Sequence, residues 1–492
     1  MEKEILIQAD EDDTRVAVLE EGRLVEIYFG KYRGLVGNIF KGKVANVLPG
    51  IQAAFIDIGL EKNAFLYAGD VVSGTENAGK NKNGPGNIEH LLKPGQEIMV
   101  QVTKEPLDKK GARLTTQISI PGRFAVLMPY LDYVGVSRKI KDEEERDRLR
   151  AAATELKPDG MGIIVRTVAE GISPEELNED IRYLTGLWEE ILERNERERA
   201  PAVLYRERDL VERTVRDLFN DKVVRLQIND RKIYDRVCGL LGDNEFQLKN
   251  RIFLFEDEDL FEKYNIPHQV MRALRHKVWL KCGGFIIIEH MEALTAIDVN
   301  TGKYIGSRDL EETIFKTNLD AAVEIARQLR LRNIGGIIII DFIDMAKEEH
   351  RQRVLEVLER ELEKDKTHTK IMGLTRLGLV EITRKKEYRP LEGVLLQKCP
   401  HCDGKGKILS REALSLSAKK EIINRLKRQE APILVVKVNP YIAAVLGNEG
   451  KGWIKETEKK TGKKIIIKAE KNLHEEDIIM EELWETERGK GN

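Results

Sequence analysis

The stretches FIIIEH (285–290), ALTAIDVN (293–300) and GGIIIIDFID (335–344) decide the fold of this 492-residue chain. Each contains an apolar run of strand length, and helical periodicity fills most of the gap between the second and the third. The three stretches therefore predict strands that flank a helix of about 24 residues.

The ends of that helix are marked by its own residues. Asp309 and Glu312 form a predicted capping box at its start, and Gly335-Gly336 is its predicted stop. A second helical pattern, EEHRQRVLEVLERELEK (348–364), leads to a further strand, KIMGLT (370–375). The unit thus repeats, which predicts a largely parallel sheet covered by helices.

A small barrel is predicted ahead of this sheet. Between Val36 and Thr116 lie short strand-like pieces separated by turn residues, namely GNIFKGKVANVLPG, IQAAFIDIG, KNAFLYAGD and PGQEIMVQVTKE. The stretch SGTENAGKNKNGPGN (73–87) is predicted to be a mobile loop of the barrel, because its glycines, asparagines and lysines neither pack nor hold a regular backbone.

Two further patterns complete the organisation. RVAVLEEGRLVEIYF (15–29) alternates about a Glu-Gly turn and predicts a hairpin, whereas Ser173 and Glu176 form a capping box that predicts the start of a helix. After Cys399, a helix, the strand ILVVKV, another helix and the strand KIIIKA predict a small separate α/β domain.

Composition limits the class of protein. Charged residues make up 34% and apolar residues 41%, with a formal charge of −2, which is typical of a multidomain globular protein rather than a disordered or membrane chain. No apolar run reaches the roughly 18 residues of a bilayer span, and the N-terminus lacks a signal-peptide pattern, so a cytoplasmic location is expected. The four cysteines argue against a disulfide scaffold, and the C-P-H-C pair suggests metal or redox chemistry.

Asp298 and Asp341 carry the predicted chemistry. Each lies near the carboxyl end of an apolar strand, where open parallel sheets have their ligand crevice. If the two strands are neighbours, both carboxylates can bind one hard cation, and Mg²⁺ is the natural choice. The alternative is that each aspartate only caps the following turn.

Several motifs resemble the ribonuclease E/G family over nearly the whole chain. The resemblance rests on LTAIDVNTG (294–302), IIDFIDM (339–345), GNIFKGKV (37–44), LTRLGLVEITR (374–384) and CPHC (399–402), which occur in the order that the family has them. It implies that Asp298 and Asp341 hold magnesium and that Asn300 orients an aspartate or contacts the scissile phosphate. The implied reaction is hydrolysis of single-stranded, AU-rich RNA that leaves a 5′-phosphate and a 3′-hydroxyl, in rRNA and tRNA processing and mRNA decay.

The same resemblance implies a multidomain α/β architecture. An RNase H-like domain is formed by residues 1–35 and 213–277, and between its two parts lie an S1 (OB-fold) barrel (36–116) and a 5′-sensor region (117–212). A DNase I-like catalytic domain (278–397), a zinc link (398–408) and a small domain (409–492) follow. Since the chain ends at Asn492 without the long tail of many RNase E proteins, the shorter G type is expected.

Three residues of the barrel are implied to bind RNA. Phe55 and Phe65 would stack on bases, and Lys110 would provide a basic contact. From the residues alone, aromatics in such patterns are more often core than platform, and Lys110 would be a solvated turn lysine.

A pocket for a 5′-monophosphate end is implied by GRFAVLM (122–128) and IVRTV (164–168). Arg166 and Thr167 would hold the phosphate, because a guanidinium donates two parallel hydrogen bonds to it. Gly122 and Val126 would form the adjoining wall. Lys139 departs from the family pattern, which has a second arginine there, so it offers a point charge rather than a fork. Without the family, Arg166-Thr167 would be a surface pair.

Cys399 and Cys402 supply half of a tetrahedral zinc site. The simplest completion takes the same pair from a second chain, as the resemblance also implies, which predicts a zinc-bridged homodimer that can pair into a tetramer. The rival interpretation is a C-x-x-C redox pair. No thioredoxin-like pattern is expected around the cysteines, which argues against that interpretation.

Two other classes of function compete with the endonuclease. A non-catalytic RNA-binding factor would use its S1 barrel for affinity alone, but it would have no need of the aspartate pair. A processive exonuclease with an S1 appendage would need an RNA end, so circular RNA separates it from an endonuclease.

Overall fold

The computed structural model describes residues 2–11, 13–31, 34–72, 87–106, 110–241, 246–256, 259–302, 310–386, 389–448 and 451–484. These residues form two compact units, 1–395 and 396–492. The predicted barrel loop falls almost wholly on residues 73–86, and Asp309 of the predicted capping box on 303–309, so both lie outside the described residues.

The first three strands form an antiparallel meander. They are β1 (Lys3–Ala9), β2 (Thr14–Glu20) and β3 (Arg23–Phe29). Glu21 and Gly22 both have positive φ, 51° and 73°, as a two-residue hairpin turn requires. The predicted hairpin is confirmed.

The next five strands close into a barrel. They are β4 (Ile39–Leu48), β5 (Ala53–Asp57), β6 (Ala64–Tyr67), β7 (Glu97–Lys104) and β8 (Arg113–Thr115), with the short helix α1 (Ile88–Leu91) before β7. Their order is β4-β5-β6-β8-β7, and β7 pairs back onto β4. Closure leaves this sheet without the free edge that an open sheet has, and it confirms the predicted barrel.

A four-stranded sheet with two helices follows. Its strands are β9 (Ile120–Pro121), β10 (Ala125–Met128), β11 (Val134–Val136) and β12 (Gly162–Val165), and its helices are α2 (Glu143–Leu156) and α3 (Pro174–Arg197). Helix α3 begins as predicted, since the Ser173 hydroxyl accepts the Glu176 N–H and the Glu176 carboxylate accepts the Ser173 N–H. Its buried face packs on this sheet.

The chain then returns to the N-terminal sheet. Strand β13 (Ala202–Tyr205) pairs with β4 of the barrel, after which β14 (Val223–Ile228) pairs in parallel with β1, and β15 (Ile252–Leu254) in parallel with β14. The five-stranded order is β15-β14-β1-β2-β3. The accompanying helices are α4 (Leu210–Asp217), α5 (Arg231–Leu240), α6 (Phe246–Lys249), α7 (Leu260–Lys263) and α8 (Ile266–Ala273).

The sheet predicted from the opening motifs has six strands. They are β16 (Lys277–Trp279), β17 (Phe285–His290), β18 (Leu294–Asn300), β19 (Gly336–Asp341), β20 (Thr369–Leu374) and β21 (Val380–Arg384), in the order β16-β17-β18-β19-β21-β20. The helices are α9 (Leu310–Leu331), α10 (Glu348–Leu362) and α11 (Leu391–Leu395). Helices α9 and α10 cover one face, against Ile286, Ile288, Ile297, Ile338 and Ile340.

The prediction of a largely parallel sheet is wrong. Only the β18–β19 pair is parallel, and the other four pairings are antiparallel. β17 and β18 form a hairpin, and β21 turns back from β20 to lie between β20 and β19. An apolar run indicates a buried strand but not its direction. The pattern therefore predicts neither the order of the strands in the sheet nor whether neighbouring strands run parallel.

Helix α9 also ends differently from the prediction. Asn333, with φ 49°, adopts the left-handed conformation, and the N–H groups of Asn333 and Ile334 donate to the carbonyls of Arg330 and Leu329. This is a Schellman-type end with asparagine in the glycine position. Gly336, at φ 103°, instead begins β19.

The second unit contains a three-stranded sheet of order β23-β22-β24. Its elements are α12 (Arg411–Arg428), β22 (Ile433–Val438), α13 (Pro440–Asn448), α14 (Lys451–Thr461), β23 (Lys464–Ala469) and β24 (Ile478–Leu483). Both predicted helices and both predicted strands are present, with α13 and α14 in the place of the second predicted helix. The acidic edge strand β24, and a second helix between β22 and β23, were not predicted.

Candidate functional site

Asp298 and Asp341 lie directly opposite each other in the one parallel pair of the six-stranded sheet. Opposed residues of neighbouring strands point to the same face and are separated by about 4.8 Å across the sheet. Residues 297 and 340, next to them, point into the apolar core, so both carboxylates point to the opposite, exposed face. The structure therefore brings together the two aspartates that the motifs singled out.

Asn300 joins the pair through a hydrogen bond. Its Nδ2 donates to Oδ2 of Asp298 at 2.7 Å, two residues along the same strand and on the same face. One oxygen of Asp298 is thereby held in place, while the amide oxygen of Asn300 points away from that bond. This hydrogen bond is of the kind by which Asn300 would orient an aspartate, and that role stays a prediction.

Asn318 fixes the chain just beyond Asp341 and was missed from the sequence. It is fully buried in α9, its Nδ2 donates to the Ile343 carbonyl at 2.8 Å, and its Oδ1 accepts the Ile343 N–H at 3.1 Å. These two bonds mimic a strand partner for a segment that has left the sheet. An asparagine on the apolar face of a predicted helix was the available signal.

The chemistry of this donor set fits a hard cation. Two carboxylates in neighbouring positions repel each other unless a positive charge lies between them, and oxygen ligands are those that Mg²⁺ prefers. Within the described ranges, no group of three or more His, Cys, Asp or Glu side chains is gathered closely enough to hold a metal ion. The site would thus offer two protein carboxylates and leave the other positions to water or substrate.

Phe55 and Phe65 form a pair on the outside of the barrel. They are opposed across β5 and β6, their ring centroids are 6.0 Å apart at 73°, and both rings are half-buried. Arg113 is the partner of Phe65 on β8, and its Nη2 lies 2.8 Å from Oδ2 of Asp70. Lys110 is exposed just before β8. The aromatic pair is therefore outside the barrel core, although its role stays a prediction.

Arg166 lies at the end of β12, and its guanidinium is already engaged. Nη1 donates to the carbonyls of Gly122, at 2.6 Å, and Arg123, at 3.2 Å, and Nη2 donates to Oδ1 of Asp217 at 2.7 Å. Burial alone would raise the pKa of Asp217, but Arg216 and Arg166 lower it to about 2. Arg166 is thus a fixed charge held by a carboxylate.

Of the other residues predicted to form the pocket, some line a cavity together with Arg166 and some do not. Thr167 and Ser137 share a hydroxyl hydrogen bond of 2.8 Å, and with Arg166 and Lys139 they line a cavity of about 1360 Å³. Gly122 and Val126 are not among the described residues that line this cavity. Lys139, the departure from the family pattern, donates to the Asp365 carbonyl at 3.2 Å.

Gly122 is required by a contact that the sequence did not reveal. The carboxylate of Asp180, in α3, accepts the N–H groups of Arg123, Phe124 and Ala125 at 2.8–3.0 Å. A Cβ at Gly122 would lie 2.5 Å from Oδ2 of Asp180. Glycine lets this helix carboxylate reach the turn, so the structure gives Gly122 a packing role.

Cys399 and Cys402 lie in turns ahead of α12, and neither forms a disulfide. Backbone N–H groups of Cys402 and His401 lower the pKa of Cys399, and the Gly406 N–H donates to Sγ of Cys402 at 3.3 Å. Donors of this kind favour thiolates, which are the form that binds metal. His401 and His474 pack together nearby, with ring centroids 4.5 Å apart.

Comparisons with known proteins place the chain in a family. Residues 119–387 match the Ribonuclease E/G family, and residues 398–483 match the RNase E/G thioredoxin-like domain. The expectation that no thioredoxin-like pattern accompanies the cysteines is therefore wrong. The cysteines nevertheless precede the first helix of that domain by several residues instead of lying in its first turn.

Whole-chain relatives agree with these matches. The chain is 42% identical over 486 residues to Ribonuclease G of Haemophilus influenzae, covering 97% of this chain and 99% of that protein. It is 40% identical over 488 residues to Ribonuclease G of Salmonella typhimurium, covering 98% and 100%. Ribonuclease E of a Nostoc species is 41% identical over 411 residues, covering 82% of this chain and 59% of the relative.

In the described part of the chain, no helix has both the length and the apolar character needed to cross a membrane. The motifs, the family matches and the full-length similarity point the same way. This chain belongs to the ribonuclease E/G family.

Proposed function

We propose that the protein is a magnesium-dependent endoribonuclease that hydrolyses single-stranded RNA at the exposed face of the six-stranded sheet. The observation that carries the proposal is the in-register pairing of Asp298 with Asp341, with Asn300 bound to Asp298. The names of the full-length relatives support a ribonuclease.

Each residue of this site has one task in the proposal. Asp298 and Asp341 hold the ion through their oxygens, and Asn300 keeps Asp298 oriented or contacts the scissile phosphate. When bound, magnesium supplies an activated water and offsets negative charge on the phosphate oxygens. The products are a 5′-phosphate and a 3′-hydroxyl, and no side-chain nucleophile is needed.

The remaining domains are proposed to deliver the RNA. The S1-type barrel binds single strands through Phe55, Phe65 and Lys110, with AU-rich segments preferred, and Arg166 and Thr167 receive a 5′-monophosphate end. Residues 1–35 and 213–277 form an RNase H-like domain, which is supported by the sheet that β1–β3 share with β14 and β15. Residues 278–397 form a DNase I-like catalytic domain. The biological roles proposed are rRNA and tRNA processing and mRNA decay.

Two chains are proposed to share one structural zinc ion. Cys399 and Cys402 give two of four tetrahedral ligands, and their hydrogen-bonded sulfurs fit a thiolate-bound metal. The same pair from a second copy completes the site. The dimers can pair again into a tetramer.

Circular single-stranded RNA tests the catalytic proposal. We expect the wild-type chain with Mg²⁺ to linearise it, which an exonuclease does not do. Asp298→Asn should lower the rate roughly 100- to 1000-fold, since a metal ion contributes several kcal/mol to such a reaction. The matched control is Glu289→Gln, an exposed carboxylate on the same sheet face. Normal cleavage by Asp298→Asn would contradict the proposed site, and RNA binding without cleavage by the wild-type chain would favour a non-catalytic RNA-binding factor.

A further inference from the structure

An aromatic and cationic cluster lies beside the aspartate pair, on the same face of the same sheet. It consists of Lys277 and Trp279 of the edge strand β16 and Phe285 of β17. In the ladder, Trp279 is opposite Phe285, and Phe285 is opposite Asn300. The next row consists of Lys277, Ile287, Asp298 and Asp341, each opposite its neighbour.

Register places the cluster on the catalytic face. Because directly opposed residues share a face, the side chains of Trp279 and Phe285 point to the side where Asn300 meets Asp298. Phe285 is one strand from Asn300, about 4.8 Å across the sheet. The chain after Asn300 also passes this ring, since a Cβ added at Gly302, whose φ is +61°, would lie 3.2 Å from Cδ1 of Phe285.

The three side chains are packed against one another. The Trp279 and Phe285 rings meet edge to face, with centroids 5.5 Å apart at 65°. Nζ of Lys277 lies 3.5 Å from the centroid of Phe285 and 4.3 Å from that of Trp279. Trp279 nevertheless remains 50% exposed. The indole is held in place by its neighbours and still presents half of its surface to solvent.

These properties match those of a nucleobase platform. Successive bases of single-stranded RNA stack on aromatic side chains, and a neighbouring cation contacts the phosphate backbone. A single exposed tryptophan needs no explanation by itself. Here, however, the exposed indole and the second ring lie in the same row of the sheet as Asn300. The ammonium group belongs to Lys277, which lies in the row of Asp298.

We propose that Lys277, Trp279 and Phe285 form a stacking subsite for one base of the RNA, within two nucleotides of the cleaved bond. This inference rests on the proposed function, because the cluster can bind RNA near the cleaved bond only if the adjacent aspartates are the catalytic site. Trp279 supplies the stacking surface, Phe285 supports it, and Lys277 neutralises a backbone phosphate. The subsite accepts any base, since every base has a π face.

The test measures binding of a short single-stranded RNA with one known cleavage position to the full-length chain in EDTA, where no cleavage occurs. A single abasic residue is moved along the RNA. We expect Trp279→Ala to weaken binding about 10-fold and Trp279→Phe to restore most of the affinity. An abasic residue at the stacked position should weaken binding to the wild-type chain similarly and weaken binding to Trp279→Ala little further.

Two further variants separate stacking from unspecific effects. Tyr441→Ala is the matched control, because Tyr441 is 56% exposed and also has a cation, Arg411, over its ring at 4.6 Å. It should bind RNA as the wild-type chain does. Lys277→Gln should reduce the salt dependence of binding by about one released counterion.

Two results would overturn the subsite: undiminished binding by folded Trp279→Ala, or an abasic scan of the wild-type chain that shows no loss within two nucleotides of the cleaved bond. The scan needs no variant, so it decides even if Trp279→Ala does not fold. Because binding is measured without metal, the outcome is independent of the cleavage assay. Loss of cleavage in Asp298→Asn together with a flat abasic scan would leave the catalytic proposal intact and refute only the subsite.

Discussion

Asp298 and Asp341 lie directly opposite each other because β18 and β19 pair in parallel, in the register that aligns the two residues. A shift of either strand by one residue would turn its aspartate toward the buried helices, where an unpaired carboxylate is costly. The apolar neighbours Ile297 and Ile340, both almost fully buried, hold that register. Core residues thus position the two acidic side chains, and Asn300 then fixes the orientation of one of them.

Arg166 allows a test of the proposed 5′-phosphate pocket. Arg166→Lys keeps the charge but loses the planar fork that now donates to Gly122, Arg123 and Asp217. Since hydrogen bonds to charged groups contribute about 1.5–3 kcal/mol, we expect the preference for 5′-monophosphate over 5′-triphosphate RNA to fall about 10-fold or more. The measurement is the ratio of kcat/KM for the two RNAs.

The control for this prediction is Arg150→Lys, at an exposed arginine that pairs with Asp147 in α2. It should leave the ratio unchanged. An Arg166→Lys protein that is folded and has the wild-type ratio would remove Arg166 from the pocket.

Residue types and spacing predicted Asp298 and Asp341, but not the distant carboxylates that hold Arg166 and the turn after Gly122. Asp298 and Asp341 follow apolar runs, a pattern visible within a few residues of each. Asp180 and Asp217 lie more than 50 positions from the groups that they bind, Arg123 to Ala125 and Arg166. Such contacts depend on the packing of α3 and α4 against the sheets, which no local pattern contains.

At the scale of elements, helix α9 both covers the sheet and holds the loop after β19. We expect Asn318→Ala to lower the free energy of unfolding by about 1–3 kcal/mol, because it leaves the N–H and the C=O of the half-buried Ile343 without their side-chain partner. The same change should lower kcat roughly 10-fold by loosening the chain next to Asp341. Denaturant unfolding and steady-state kinetics measure the two effects.

Thr317→Val is the matched control, since Thr317 is equally buried but its hydroxyl donates to the carbonyl of Thr313 in its own helix. It should change kcat little. If Asn318→Ala lost stability and kept wild-type kcat, the loop would not position Asp341.

Elements set by local residues were predicted well, and those set by distant pairing were not. The capping box at Ser173 fixes the start of α3, and the positive φ of Glu21 and Gly22 fixes the β2–β3 hairpin. The placement of β21 beside β19 depends instead on the β20–β21 hairpin, in which β21 pairs with β19 and β20 becomes the edge strand. Strand β24 was missed because its residues do not alternate: Ile479 is apolar but exposed, and Glu482 is acidic but half-buried.

At the scale of the whole molecule, a buried ion pair joins the N-terminal sheet to α9. Arg330 donates to Glu26 and Glu20, each at 2.8 Å through Nη2. Burial alone would raise the pKa of Glu26, but Arg330 lowers it to about 2 from its usual 4.5. The pair therefore stabilises the fold above about pH 4.5, and this contribution is lost as the pH falls toward 2.

We expect Glu26 to account for about 2 kcal/mol of the stability lost between pH 7 and pH 3. Glu26→Gln should be less stable than the wild-type chain at pH 7 and should lose correspondingly less stability on acidification. The measurement is urea unfolding at both pH values, with the exposed Glu155→Gln as control. An unchanged pH dependence in Glu26→Gln would contradict the lowered pKa of Glu26 and the stabilising role of its ion pair with Arg330.

The proposed zinc link makes a prediction about assembly. Metal analysis should find about one zinc ion per two chains, because each chain supplies two of the four thiolates. Changing Cys399 and Cys402 together to Ala should remove the zinc and reduce the oligomer to smaller species in analytical ultracentrifugation. The matched control changes Cys238 to Ala. A zinc-free double variant that keeps the wild-type oligomer would contradict the shared site.

The central claim is that Asp298 and Asp341 bind one divalent ion between them, and titration with Mn²⁺, followed by electron paramagnetic resonance, tests it most directly. The wild-type chain and Glu289→Gln should bind one catalytic Mn²⁺ per chain, and Asp341→Asn should lose that ion while its circular dichroism spectrum and RNA binding are unchanged. Equal Mn²⁺ binding by folded Asp341→Asn and the wild-type chain would contradict the claim.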